Sequence, residues 1–165
     1  MIEKATFSAD AAGILEKLLQ NIPGVRLVER GVATSLPTGA GDLEADLLPV
    51  RALSLDVEYD RDATSFTDLL RALWAAHSDE ANRRAARQGA EPAPCIVFHR
   101  TVNQQAAALA SRALAAEDDS LGGALINARV VPFRRFQPEQ PSVPAWKLEP
   151  RAPRMPNLTA PLRVL

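Results

Sequence analysis

The sequence predicts an α+β fold, a ferredoxin-like α/β plait with the element order βαββαβ followed by αβ. Apolar residues recur at helical spacing in three segments and alternate with polar residues in others, and these two patterns follow one another along the chain. Two βαβ halves in this order place helices on one face of a mainly antiparallel sheet. The 165 residues, 47% hydrophobic and 24% charged, suffice for one domain with a core and exclude a disordered or collagen-like chain.

The first part of the chain contains two predicted strands with a helix between them. The strands are Glu3 to Phe7 and Val25 to Ala33. The helix ends at Pro23-Gly24, and its apolar face is formed by Ile14, Leu15, Leu18, Leu19 and Ile22. Residues 35–49, SLPTGAGDLEADLLP, then form a long turn-rich loop of a length that is often functional.

The second part continues with a strand, a helix, a strand, a helix and a last strand. Period-two alternation predicts the first strand, with Leu53, Leu55, Val57 and Tyr59 on its buried face. Ser65 and Asp68 form a capping box before a helix whose apolar face is formed by Phe66, Leu69, Leu70, Leu73 and Trp74. The remaining elements are a strand at 94–99, an Ala-rich helix from Thr101, capped with Gln104, to about Ala116, and a strand at 124–133.

Charge and proline change abruptly near Phe133, which divides the chain into a domain at 1–136 and a C-terminal arm at 137–165. From Phe133 onward six basic residues oppose two acidic ones, and seven of the thirteen prolines follow Gln137. Proline lacks an amide hydrogen, so this Pro-rich basic arm is expected to be extended. Either it wraps its own domain, with Trp146, Leu148 and Leu158 as anchors, or it mediates a homodimer or binding to a partner protein.

Charge and cysteine content indicate a cytoplasmic protein. A formal net charge of −1 gives no bulk attraction for nucleic acid, and no run of 18 apolar residues could span a membrane. The N-terminal residues lack the apolar core of a signal peptide, and the single Cys95 cannot close an intramolecular disulfide. The excess of Arg over Lys and the abundant Ala are consistent with a bacterial source.

Several short strings follow one another at a characteristic order and spacing. They are ATF at 5–7, IPGV at 22–25, GVA at 31–33, LSLDVEYDRDATSFTDLLRALWAAH at 53–77, IVFHR at 96–100 and FQP at 136–138. Together they cover residues 3 to 140, and the chain they describe resembles the A-type peptide methionine sulfoxide reductases. The resemblance implies that family's fold and places its active site at the start of the first helix.

The residues that carry the family's reaction are replaced in this chain. The position of the nucleophilic cysteine falls on Ala11, and those of its two aromatic neighbours fall on Ala12 and Gly13. The acid that protonates the sulfoxide oxygen falls on Leu53. A methyl group has no lone pair with which to attack sulfur, and leucine has no proton to donate. The resemblance therefore implies a redox-inactive member of the family, not a functional methionine sulfoxide reductase.

The altered helix start suggests a pocket with a new use. We expect it to be lined by Phe7, Asp10, Ala11, Ala12, Gly13, Leu53 and Trp146. Loss of two aromatic side chains leaves space that a ligand bulkier than methionine, Trp146 or the loop after Ala33 could fill. Asp10 and Glu91 are the candidate catalytic residues, although Asp10 is also a good helix N-cap, with Ser8 as the alternative cap. Asp56 and Glu58 are expected on a solvated strand face.

Two functions from different classes follow. The first is binding of a small, partly apolar molecule, with non-redox acid/base chemistry such as isomerisation, cyclisation or elimination as an extension that leaves open whether the protein is an enzyme. The second is a catalytically silent interaction or scaffold protein that acts through its C-terminal arm. Cys95 is expected to be a small core residue. No cofactor is indicated, and neither His77 nor His99 belongs to a cluster with metal-ligand spacing.

Overall fold

The computed structural model describes residues 1–10, 12–37, 48–85, 95–118 and 128–140. These residues form five strands and three helices. In chain order the elements are β1 (Ile2–Ser8), α1 (Ala12–Gln20), β2 (Val25–Ser35), β3 (Arg51–Asp60), α2 (Phe66–Ala85), β4 (Cys95–His99), α3 (Val102–Glu117) and β5 (Ala128–Pro138). The predicted C-terminal arm beyond residue 140 lies outside the described residues, as do Ala11, Glu91 and Trp146.

The sheet closes into a five-stranded barrel in the order β1-β3-β2-β5-β4, so the prediction of a ferredoxin-like α/β plait is wrong. β1 lies between β3 and β4 and is antiparallel to both. β5 closes the barrel because it pairs in parallel with β4 along 128–132 and antiparallel with β2 along 133–138. The sequence prediction ended this strand at Phe133, which leaves it too short to reach a second neighbour.

The helices cover one face of the strands and form the main core with it. The amphipathic helix α1 buries Leu15 and Leu19 completely, as its apolar spacing predicts. α2 and α3 add further buried residues to the same cluster, namely Leu69, Leu70, Leu73, Trp74, Ala76, Ala108 and Ala115. The strands contribute alternate residues that point toward the helices, among them Phe7, Leu55, Val57 and Val97.

The other face of the strands points into the barrel and forms a smaller cluster. Its buried apolar members are Ala33, Ile96, Phe98 and Val131, with Phe133 and Phe136 packed against them. Gly31 belongs to this face, because a Cβ built on it would lie 2.5 Å from the ring of Phe136. Only glycine leaves room for that aromatic ring between β2 and β5.

Local hydrogen bonds define where the helices begin. Ser65 and Asp68 form the predicted capping box, in which the Asp68 carboxylate accepts from the Ser65 amide (2.9 Å) and the Ser65 hydroxyl accepts from the Asp68 amide (3.2 Å). Thr101 caps α3 by accepting from the Gln104 amide at 3.1 Å. After α1, Gly24 adopts a φ of 93°, a conformation that favours glycine, and turns the chain into β2. None of the helices in the described residues is long and apolar enough to cross a membrane.

Candidate functional site

The region around the start of α1, which the sequence singles out, is an open corner between α1, β2 and β3. We call it the α1 mouth and define it by Asp10, Ala12, Gly13, Glu16, Arg30, Val32 and Leu53. Its backbone is fixed by Ser8 at the end of β1, whose hydroxyl donates to the Leu53 carbonyl at 2.7 Å. Ser8 is therefore a strand residue bonded to β3, which makes it unsuitable as the N-cap of α1.

Leu53 is the unusual residue of the α1 mouth. Its side chain is 79% exposed, whereas Leu55, two residues along the same strand face, is 1% exposed. Leu55 lies in the core cluster with Leu15 and Leu19 of α1, while Leu53 lies beyond the start of that helix. Across the sheet Leu53 pairs with Val32, which is half-buried. The two side chains form an apolar surface that the described residues leave largely uncovered.

A charged pair borders this apolar surface. Arg30 of β2 donates through its Nε to the Glu16 carboxylate of α1 at 2.6 Å, and the two groups also form an ion pair. The Arg30 side chain is still 52% exposed. A Cβ built on Gly13 would have the Arg30 guanidinium as its nearest neighbour, 4.0 Å away, so the space above the first turn of α1 is open. The α1 mouth thus combines an apolar surface with one accessible cation, Arg30, and two carboxylates, those of Glu16 and Asp10.

The structure brings some of the predicted site residues together. Leu53 and Gly13 both lie against β2, Leu53 beside Val32 and Gly13 nearest to Arg30. Ala12 is partly buried, and Asp10 is exposed and has an interaction partner. Phe7 lies instead in the core, fully buried and stacked on Phe66 with ring centroids 6.0 Å apart. Glu16 and Arg30 are not among the site residues predicted from the sequence, because nothing in the local pattern shows that β2 places Arg30 beside the second turn of α1.

Cys95 has the environment of a core residue. It is fully buried in the cluster between the sheet and the helices. Burial raises the pKa of its thiol to about 12, because the thiolate would lose its hydration. A neutral, enclosed thiol cannot act as a nucleophile at physiological pH.

A second group of polar residues lies inside the barrel, centred on Asp56. Its carboxylate is 5% exposed, so the prediction of a solvated position is wrong. It accepts from the Thr6 hydroxyl at 2.7 Å and from the Arg100 guanidinium at 2.6 Å, and Lys4 lies 3.5 Å away. The Arg100 guanidinium also lies 3.6 Å from the centre of the Phe133 ring. The charges are paired, as in a structural cluster, while the Arg100 Nε is buried without a hydrogen-bond partner among the described residues.

Two cavities lined by α2 and α3 lie away from the α1 mouth. One, of about 310 Å³, is bordered by the starts of α2 and α3 and by Glu3, whose carboxylate accepts from the Tyr59 hydroxyl at 2.8 Å and from Arg61 at 3.0 Å. Burial, followed by this hydrogen bond, raises the pKa of Tyr59, which keeps the phenol neutral. The other, of about 420 Å³, is an apolar groove between α2 and α3 that exposes Leu114; we call it the α2–α3 groove.

Within the described residues, no three side chains of His, Cys, Asp and Glu lie close enough together to hold a metal ion. His77 is buried in the molecule, and burial lowers the pKa of His99, which favours its neutral form.

Comparison with known proteins gives a similarity of fold. No family model matches the chain, and no curated protein sequence matches it. Among solved structures, a crystal structure of Mxr1 from Saccharomyces cerevisiae in an unusual oxidized form has a similar fold, with a TM-score of 0.60 and 11% sequence identity. The similarity covers 82% of this chain and 74% of Mxr1, which is the yeast methionine sulfoxide reductase of type A.

At 11% identity, this similarity concerns the fold alone. It agrees with the resemblance drawn from the sequence strings at the level of chain architecture. The chemistry of the α1 mouth has to be argued from the side chains that this chain places there.

Proposed function

We propose that the protein is a redox-inactive relative of the A-type methionine sulfoxide reductases that binds a small, partly apolar molecule at the α1 mouth. The observation that carries this proposal is Leu53, a leucine 79% exposed on the strand face on which the next three residues, Leu55, Val57 and Tyr59, are buried. Small-molecule sites combine apolar side chains with a few placed polar groups. A ligand that covers Leu53 and Val32 gains the free energy of removing both side chains from water.

Two properties of the chain argue against sulfoxide reduction. Position 11, at the start of α1, is an alanine, which supplies no nucleophile. Cys95 is buried, and its raised pKa keeps it protonated. Reduction of a sulfoxide needs a thiolate that can reach the sulfur atom, and neither residue meets that need.

The polar groups of the α1 mouth suggest what the ligand carries beside its apolar part. Arg30 presents a half-exposed guanidinium with five N–H donors, and the bonds to Glu16 engage its Nε and one terminal nitrogen. A carboxylate or similar anion of the ligand could bind the outer edge of this group. Asp10, exposed just before α1, would be the residue to move a proton if the bound molecule also reacts.

Titration with a panel of small aliphatic and aromatic carboxylates, followed by NMR chemical shifts of the backbone amides, tests this proposal. We expect shifts centred on Gly13, Arg30 and Leu53. The variant Leu53→Asn should weaken binding, and Leu114→Asn should not, because Leu114 is similarly exposed at 69% but lies in the α2–α3 groove. Shifts confined to the α2–α3 groove, or no shift with any carboxylate, would argue against the α1 mouth as the site.

A thiol-dependent turnover assay on free and peptide methionine sulfoxide tests the redox part separately. No turnover is expected from the wild-type chain or from Cys95→Ala. Turnover by the wild-type chain that disappears in Cys95→Ala would show that the cysteine reaches a substrate, and the redox-inactive assignment would then be wrong.

A further inference from the structure

We further propose that the C-terminal segment 141–165 covers the α1 mouth through Trp146 and competes there with the small molecule. The competition rests on the proposed function, whereas the docking of the segment does not. The surface to be covered is the apolar pair Leu53 and Val32, and the proposal commits to this chain's own segment as its occupant.

The place where the described chain ends supports this occupant. β5 runs antiparallel to β2, and the Glu139 amide donates to the Arg30 carbonyl at 2.8 Å. The chain therefore leaves the barrel beside Arg30, one of the residues that define the α1 mouth. The segment that follows starts at the site it would cover, so little chain entropy is lost in holding it there.

The distances allow Trp146 to reach Leu53. Arg30 and Val32 are two residues apart on β2, and Val32 pairs with Leu53 on β3, so the separation is roughly 8 Å at ordinary strand spacings. The six residues from Gln140 to Trp146 span up to about 20 Å when extended. This length is enough for the chain to reverse direction, and Pro141 and Pro144 disfavour continuation of a regular strand.

The composition of the segment fits the shape of the α1 mouth. Ala12 and Gly13 leave open space above the first turn of α1, and an indole ring needs such a space beside an apolar wall. The segment contains one tryptophan and four basic residues against one acidic residue, and the exposed Asp10 lies at the edge of the opening. Trp146 would be the apolar anchor, since it is the largest side chain in the segment.

Trp146 fluorescence in the full chain tests the docking directly. The difference between the spectra of the wild type and of Trp146→Phe isolates Trp146, because Trp74 is present in both. We expect an emission maximum shifted to the blue, and low quenching by acrylamide. The same difference measured in the Leu53→Asn background should shift to the red and quench severalfold more readily. The matched background Leu114→Asn should leave both values unchanged.

Each other outcome would overturn the docking. An unchanged Trp146 signal in the Leu53→Asn background would mean that Trp146 does not lie on Leu53. A red shift in the Leu114→Asn background alone would place Trp146 in the α2–α3 groove. A blue shift that disappears on dilution would mean that the occupant is a second copy of the chain.

Competition is measured with 1-anilinonaphthalene-8-sulfonate, an aromatic sulfonate with an apolar part and an anion. We expect Trp146→Ala to bind this probe with a severalfold lower Kd than the wild type, and Trp146→Ala/Leu53→Asn to lose that gain. Equal Kd values for wild type and Trp146→Ala would overturn the competition. If neither the wild type nor Trp146→Ala binds the probe or any of the carboxylates, while the Trp146 fluorescence shift is present, the docking stands and the proposed small-molecule function is wrong.

Discussion

The two faces of β3 become buried by different means. Toward the helices, Leu55, Val57 and Tyr59 pack in the main core, while toward the barrel interior Ser54 and Asp56 are buried among hydrogen-bond partners. The face toward the helices is buried by apolar packing. On the face toward the barrel interior, polar groups form hydrogen bonds within the protein in place of those to water. Leu53 belongs to the apolar face by its position, but it is exposed because the described part of α1 starts too far along to cover it.

Leu53 is therefore exposed because the described residues leave it largely uncovered, and not because its strand face points to solvent. On the face toward the helices Leu55, Val57 and Tyr59 are all buried, whereas Arg51 and Leu53 at the start of the strand are exposed. Substitutions on the two faces should therefore differ in how much they lower the free energy of unfolding, and in whether a second substitution restores part of the loss.

The largest loss is expected on the apolar face. Leu55→Ala should lower the free energy of unfolding by about 3 kcal/mol, because it removes buried methyl groups and leaves a cavity. Urea denaturation monitored by circular dichroism measures this value. A loss below about 1 kcal/mol would indicate that the core between α1 and β3 is looser than its complete burial suggests.

A smaller but still large loss is expected inside the barrel. Asp56→Ala should cost about 2–3 kcal/mol, less than for a fully buried pair because the Arg100 side chain is 24% exposed. Asp79→Ala, which removes an exposed carboxylate from α2, should change stability by less than about 0.5 kcal/mol. The double variant Asp56→Ala/Arg100→Met should recover part of the loss, because it also removes the unpaired charge. Strict addition of the two single losses would contradict coupling between these residues.

Two glycines should respond to the same substitution with opposite signs. Gly31→Ala should destabilise by about 1–2 kcal/mol, because the added methyl group meets the Phe136 ring and the Gln137 backbone. Gly13→Ala should stabilise by about 0.5 kcal/mol, because the new methyl group enters open space and alanine favours the helix. Thermal unfolding of both variants measures the contrast, and equal changes would show that the interior face is not closely packed at Gly31.

The last comparison is at the exposed end of the apolar face, where docking of the C-terminal segment predicts a measurable loss of stability for Leu53→Ala and an undocked segment predicts almost none. Leu53→Ala should change the free energy of unfolding by less than about 0.5 kcal/mol if only solvent covers this side chain. A loss comparable to that of Leu55→Ala would instead show that another part of the chain buries Leu53. Urea titration of Leu53→Ala beside Leu114→Ala provides the comparison with a second exposed leucine.

The positions of strands and helices follow from local patterns, whereas the closure of the barrel does not. Alternation from Leu53 to Tyr59 predicted a strand where β3 runs from Arg51 to Asp60, and the capping box at Ser65 marked the start of α2. β5 was predicted to end at Phe133, because arginines and a proline follow. It continues to Pro138 because β2 supplies hydrogen-bond partners, and such a long-range pairing has no local signature.

The same limit applies to the polar residues. Alternation correctly separated Asp56 from its apolar neighbours, and an antiparallel sheet with helices on one side would expose it. Its burial comes from closure of the barrel over this face, and Arg100 at the end of β4 reaches it across β1, to within 2.6 Å. The pairing of Glu16 with Arg30 depends likewise on how α1 lies against β2, which the spacing of apolar residues alone does not specify.

The position of the closing strand has a consequence for synthesis. Translation proceeds from the N-terminus, so β1 to β4 leave the ribosome before residues 128–138. Until then the outer hydrogen-bonding groups of β2 and β4, which later pair with β5, lack these partners. The nascent chain would therefore pass through a state with two open strand edges, and stalling after α3 should make it prone to pairing with other chains.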